Sequence, residues 1–146
     1  MVIAGLQLFQ IDKTNLSYDE TKDFLVVNQT PNEVATLIRN ACYDCHSYET
    51  KYPWYTYVQP VGWFVKDHIM EGRQELNFSI FDMYSPQRKI KKIEESAECI
   101  EIGEMPLTSY VITHPEANLS NEAKSLLINY FRSLQSNYYT QTNDLR

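Results

Sequence analysis

Residues 41 to 55 read ACYDCHSYETKYPWY, and within them Cys42, Cys45 and His46 form a Cys-x-x-Cys-His element. Three chemistries use such a set. Two thiols one helical turn apart can add across the two vinyl groups of a porphyrin edge while the next residue's imidazole reaches the central iron, which fastens a haem covalently. The same thiolates can hold zinc, and a close thiol pair can act as a redox dithiol. With three cysteines and three histidines in 146 residues, the pattern is expected by chance on the order of 0.001 times. Tetrahedral zinc wants four donors, commonly as two separated pairs, and here Cys99 with His68 or His114 would have to complete the set. Adjacent Cys45 and His46 do not turn easily onto one metal. A thioredoxin-like dithiol needs a βαβ surround, whereas the flanking patterns are helical. Covalent haem attachment is the reading that uses every residue of the motif.

A haem iron held by His46 has a second face, and what closes it decides the chemistry: a thioether or second imidazole makes an electron carrier, an open position a gas sensor or peroxidase-like protein. Met105 is the favoured sixth ligand, because Pro106 holds it in a loop between two helices that can form a separate wall of the pocket. His68 is the alternative ligand, although a lone histidine on an apolar helix face is more often a satisfied core residue. His114, before Pro115, is a further candidate. Haem propionates need cations or hydroxyls, for which Arg73, Lys51, Arg39 and Arg88 are available, and Trp54 and Trp63 are placed to pack against a porphyrin edge.

These residues need elements to carry them. A helix opening at Thr30-Pro31-Asn32-Glu33, read as a capping box, continues through Val34, Leu37, Ile38 and Ala41 and delivers the motif at its end. After an aromatic loop over residues 52–57, Pro60 opens a second helix whose stripe is Val61, Phe64, Val65, His68 and Ile69, fading near Gly72. Ser85-Pro86 starts a third, with Ile90, Ile93, Ala97 and Ile100 at helical spacing and Gly103 as its stop. GEMPLTSY is expected to be non-helical. A last helix begins near Ser120 and runs through Ala123, Leu126, Leu127, Tyr130, Phe131 and Leu134, is expected to pack near the Thr30 helix, and ends in a frayed polar tail from Asn137. The organisation predicted is a lead over residues 1–29, one domain over 30–136 and a tail over 137–146. The apolar VIAGLQLFQ of the lead is read as the stump of a signal or anchor segment, or else as a peripheral element.

Composition sets outer limits. A chain of this length with 43% hydrophobic residues buries a single core. Its 19 aromatic residues against four glycines suit a core with large flat surfaces, such as a planar cofactor supplies. A net charge of −6 excludes nucleic acid as a partner, since phosphate recognition needs clustered cations. The odd Cys99 excludes a disulfide scaffold and is read as a small buried hydrophobe. Asn-x-Ser/Thr at Asn15, Asn28, Asn77 and Asn118 marks caps and turns rather than glycan sites.

Four segments together, ACYDCHSYETKYPWYTYVQPVGWFV, HIMEGRQELNFS, GEMPLTSYVITHPEANLS and the helix that follows, resemble the bacterial haem-binding domain family of small single-haem c-type proteins. The resemblance implies a mostly α, cytochrome c-like domain wrapped around one haem c, with Cys42 and Cys45 as thioether attachment points and His46 as proximal ligand. It further implies redox partner proteins, a periplasmic setting and an N-terminal membrane tether. Met105 as distal ligand follows from its Met-Pro context and from cytochromes c generally. No general base, nucleophile or substrate pocket is legible, so the expectation is an electron carrier and not an enzyme.

Overall fold

The computed structural model describes residues 2–144, with side chains for residues 4–142. Among the described residues there are eight α-helices and no strand, so the domain is all α. The helices are α1 (Val2–Leu6), α2 (Phe24–Val27), α3 (Asn32–Ala41), α4 (Tyr43–His46), α5 (Val61–Glu75), α6 (Pro86–Glu101), α7 (Thr108–Thr113) and α8 (Asn121–Asp144), joined by short 3₁₀ turns. No helix is long and apolar enough to cross a membrane among the described residues.

The core forms where α6 and α8 lie along each other and α2 and α3 close over them. Phe24 is its hub: its ring meets Phe81 edge-on at 4.9 Å and Phe78 at 5.0 Å, with Phe131 at 5.9 Å. Much of the aromatic load is thus spent on ring-to-ring packing, which adds directional attraction to the burial itself. Ile38, Ile93 and Leu127 fill the spaces between the rings.

Several local expectations hold. Ser85 caps α6, its Oγ accepting from Arg88 N at 3.3 Å, with Pro86 in the first turn. Ser85→Ala is therefore expected to lower unfolding free energy by about 1 kcal/mol in urea titration. Gly103 adopts φ +78°, the left-handed geometry that ends α6. Ser120 accepts from Ala123 N and begins α8.

Others are corrected by tertiary contacts. The Thr30 capping box does not form: α3 starts after Pro31 without a side-chain cap, and the Thr30 hydroxyl instead meets the Tyr130 hydroxyl at 2.7 Å. A bond to α8 outcompetes the local one. The supposedly frayed tail is helical through Asp144, because Tyr138 donates to Asn28 Oδ1 at 2.9 Å and packs on Phe81; residues 145–146 lie outside the described residues. In GEMPLTSY the last three residues are helical, the first turn of α7. On α5 the helix continues past Gly72 to Glu75, and of the expected stripe only Ile69 is buried, with Val61 43% and Phe64 60% exposed. The lead is docked onto the domain: Gln7 and Gln59 exchange side-chain and backbone hydrogen bonds at 2.9 Å, Trp63 Nε1 donates to Phe9 O at 2.8 Å, and Ile11 is buried.

Candidate functional site

The motif occupies a break between two helices. At Cys42 the backbone leaves α3 (φ −129°, ψ −37°) and restarts at once as the single turn α4. The Cys42 carbonyl accepts from both Cys45 N and His46 N, at 3.2 and 2.9 Å. Residues three apart in such a turn share a face, so both thiols lie on one side. Neither is in a disulfide. Burial raises the Cys42 thiol to about 12 and the Cys45 thiol to about 11. Both stay protonated at neutral pH, the reverse of the depressed value that a dithiol oxidoreductase needs for its attacking sulfur.

His46 is oriented from the far side. Its Nδ1 lies 2.9 Å from Gly72 O and 3.0 Å from Leu76 O, the carbonyls at the end of α5. Carbonyls only accept, so Nδ1 carries the proton and Nε2 holds the free lone pair. Burial lowers the ring's pKa, which keeps it neutral and fit to ligate. Gly72 makes this approach possible: a β-carbon there would stand 2.8 Å from Cys45 O and 3.3 Å from Cys45 Cβ. Gly72, His68 and Phe64 follow one another at four-residue spacing along α5. The exposed Phe64 and Val61 therefore extend an apolar wall from the point where α5 touches the motif.

The two residues between the cysteines are anchors. Tyr43 is buried, stacks on Phe78 at 5.3 Å and donates to the buried Asp23 at 2.8 Å. Asp44 accepts from Lys51 N at 2.9 Å through Oδ1 and from the Tyr110 hydroxyl of α7 at 2.8 Å through Oδ2. The segment after the motif is pinned as firmly, with Arg73 Nε donating to Ser47 O at 2.7 Å and its Nη2 to Thr50 Oγ1 at 2.9 Å.

Of the residues expected at the site, Cys42, Cys45 and His46 are brought together. Arg73 is beside them, but as a clamp on the Ser47–Thr50 turn. Met105 is half-buried in the turn after α6, where its N–H donates to Cys99 O at 3.1 Å. His68 is half-buried, its ring 4.2 Å from Phe64 and its Nδ1 on Phe64 O at 2.9 Å. His114 stacks on Tyr110 with centroids 4.0 Å apart. Trp54 is 76% exposed and Trp63 half-buried. Arg39 bonds Glu49 at 2.6 Å and Arg88 lies over the Tyr84 ring. Cys99 is half-buried on α6, its Sγ 3.9 Å from Glu104 Oε2. Among the described residues no three His, Cys, Asp or Glu side chains are gathered as a metal-ion site, so the donors for tetrahedral zinc are not assembled.

Gly72, Asp23 and Tyr110 were missed. A glycine inside a helical pattern is itself a signal of close backbone approach; nothing in the sequence pairs Tyr110 with Asp44.

Two thiols on one face, a neutral imidazole presented through Nε2 and an adjacent apolar wall are a donor set and surface that fit a covalently held haem. The sequence model of a family described as "Haem-binding domain" matches residues 1–133. No curated protein and no solved structure gives a significant match.

Proposed function

The chain belongs to the haem-binding domain family, and from that membership we propose a mono-haem, c-type cytochrome-like electron carrier in which His46 and Met105 would hold the iron. The observation that carries the reading is the His46 ring, whose Nδ1–H is engaged by two backbone carbonyls and whose Nε2 is left to coordinate. A carbonyl acceptor on the far nitrogen fixes the tautomer and makes the imidazole a stronger donor.

Each residue has a defined task. Cys42 and Cys45 would hold the haem through thioethers, each S–H adding across one vinyl group with sulfur to one carbon and hydrogen to the other, an attachment that would need no oxidant. His46 would hold the iron through Nε2, and Met105 would supply a thioether sulfur as the second ligand. The exposed Phe64 and Val61 would exclude water from a bound haem. The haem itself supplies one-electron exchange, and a thioether ligand in a dry pocket raises its potential relative to bis-histidine ligation. Covalent attachment takes place outside the cytoplasm, so the setting proposed is periplasmic, tethered to the inner membrane, with proteins as redox donor and acceptor.

The test is protein matured in a periplasm competent for c-type haem. Haem is expected to stay with the chain after denaturation and acid–acetone extraction, to hold by one bond in Cys42→Ala, and to be lost in Cys42→Ala/Cys45→Ala. Oxidised protein should show the weak methionine–iron band at about 695 nm, absent in Met105→Ala. Retained haem without that band, with rapid carbon monoxide binding on reduction, would replace the electron carrier by an open-site sensor or peroxidase-like protein, or move ligation to His68. A chain that takes zinc and no haem would sink the reading.

A further inference from the structure

The geometry points to Tyr110 as a positioning residue that holds the Met105 segment in register with the Cys-x-x-Cys-His turn through its hydrogen bond to Asp44. This deepens the His46/Met105 reading and rests on it. The segment carrying Met105 leaves α6 at Gly103 and is fastened there to its own helix, Glu104 N and Met105 N both donating to Cys99 O, at 2.9 and 3.1 Å. That bond sets the start of the loop but says nothing of its distance from the motif. Five residues later Tyr110 reaches across from α7. Its hydroxyl donates to Asp44 Oδ2 at 2.8 Å and lies 3.4 Å from Asn40 O, tying α7 to α4 and to the end of α3.

The tie is rigid at both ends. Asp44 sits directly before Cys45, and its other oxygen accepts Lys51 N while its carbonyl accepts Thr50 Oγ1 at 2.6 Å, so it has little freedom to follow a drifting partner. The Tyr110 ring is held flat against His114, centroids 4.0 Å apart and planes inclined 15°, and His114 Nδ1 lies 3.1 Å from Tyr110 O. Tyr55 adds an edge contact to His114 and a 3.2 Å hydrogen bond to Thr113. An unbroken set of contacts therefore runs from the residue between the cysteines, through Tyr110, to the helix that immediately follows Met105-Pro106-Leu107. Orientation of a metal ligand by such an outer contact typically changes affinity by about ten- to a hundredfold when removed.

The experiment compares haem-loaded wild type, Tyr110→Phe, Asp44→Ala and Asp44→Asn. In Asp44→Asn the amide can donate to the tyrosine oxygen, so the tie survives with its polarity reversed. Two readouts are used: the intensity of the methionine–iron band near about 695 nm, and the affinity of the ferric protein for added imidazole, which competes for the methionine position. Tyr110→Phe and Asp44→Ala are expected to lose most of the band and to bind imidazole at least about tenfold more tightly, while Asp44→Asn stays near wild type. A merely structural tyrosine would change the urea midpoint and leave both ligand readouts unmoved. If the wild type has the band and Tyr110→Phe matches it in band and imidazole affinity, the positioning role is overturned and the His46/Met105 reading stands. If Tyr110→Phe takes up no haem, the Asp44→Ala and Asp44→Asn pair decides, equal behaviour of the two overturning the role. If the wild type lacks the band, the ligation reading falls and takes this inference with it.

Discussion

Gly72→Ala is expected to lower the haem-loaded fraction by about tenfold and to cost the apoprotein about 1–2 kcal/mol of stability. Helix propensity alone argues the other way, since alanine is favoured over glycine inside a helix by about 1 kcal/mol. The opposing term is steric. The new methyl would lie 2.8 Å from Cys45 O and 3.3 Å from Cys45 C and Cβ, which are backbone and near-backbone atoms of a turn pinned by Tyr43, Asp44 and Arg73. Neither α4 nor α5 can yield without the other, so separation is the remaining response. Separation carries the Gly72 and Leu76 carbonyls away from His46 Nδ1, and the imidazole loses the contacts that orient Nε2. Haem content per chain by pyridine haemochrome, beside urea unfolding of the apoprotein, measures both effects. A variant more stable than wild type and fully loaded would show that the helices separate freely.

Asp23 should give the second large effect, and it depends on the substitution chosen. Asp23 is 2% exposed; Oδ1 accepts from Tyr43 OH and Leu25 N at 2.8 and 2.9 Å, while Oδ2 has no partner among the described residues. Asp23→Ala strands a buried hydroxyl and an uncapped helix N–H, with an expected loss of about 3 kcal/mol. Asp23→Asn keeps one oxygen for both donors and removes the charge. Burial raises the Asp23 pKa, overriding the hydrogen bonds that lower it. A carboxyl raised in the folded state binds more protons folded than unfolded as pH climbs above the unfolded value of about 3.9, so its contribution to stability falls as pH rises from there through the folded value. Asp23→Asn places an amide NH2 where Oδ2 has no partner among the described residues, at a cost of about 1–2 kcal/mol, and its deficit against wild type is expected to shrink as pH rises, because only the wild type must ionise a buried carboxyl. Urea midpoints of both proteins from pH 3 to 8 measure it as a difference, since carboxylates held low, such as Asp82 and Glu95, stabilise both proteins as pH rises; a wild type that gains on the asparagine variant as pH rises would contradict the sign.

Legibility followed the range of the interactions. The helix of residues 86–101 was readable at both ends, because a serine cap, a proline in the first turn and a glycine of positive φ act within a few residues of themselves. Thr30 carried an equally good local signal and was misread, since its hydroxyl found Tyr130, a hundred residues on. The α5 stripe failed for a related reason. Periodicity found the line of residues but not how much of it is covered: its C-terminal end, at Ile69 and Gly72, meets the motif, while Val61 and Phe64 at the other end stay exposed.

An all-α chain with one core, and a set of thiol and imidazole donors whose spacing points to haem, can be read from residue order, because helical periodicity, caps and a five-residue motif are all contained within a few turns of chain. Which nitrogen of His46 is free, why residue 72 is a glycine, and the grip of Asp23 and Tyr110 on the two residues between the cysteines come from the folded chain. Each of these depends on atoms distant in sequence meeting within about 3 Å, and residue order alone does not specify such meetings.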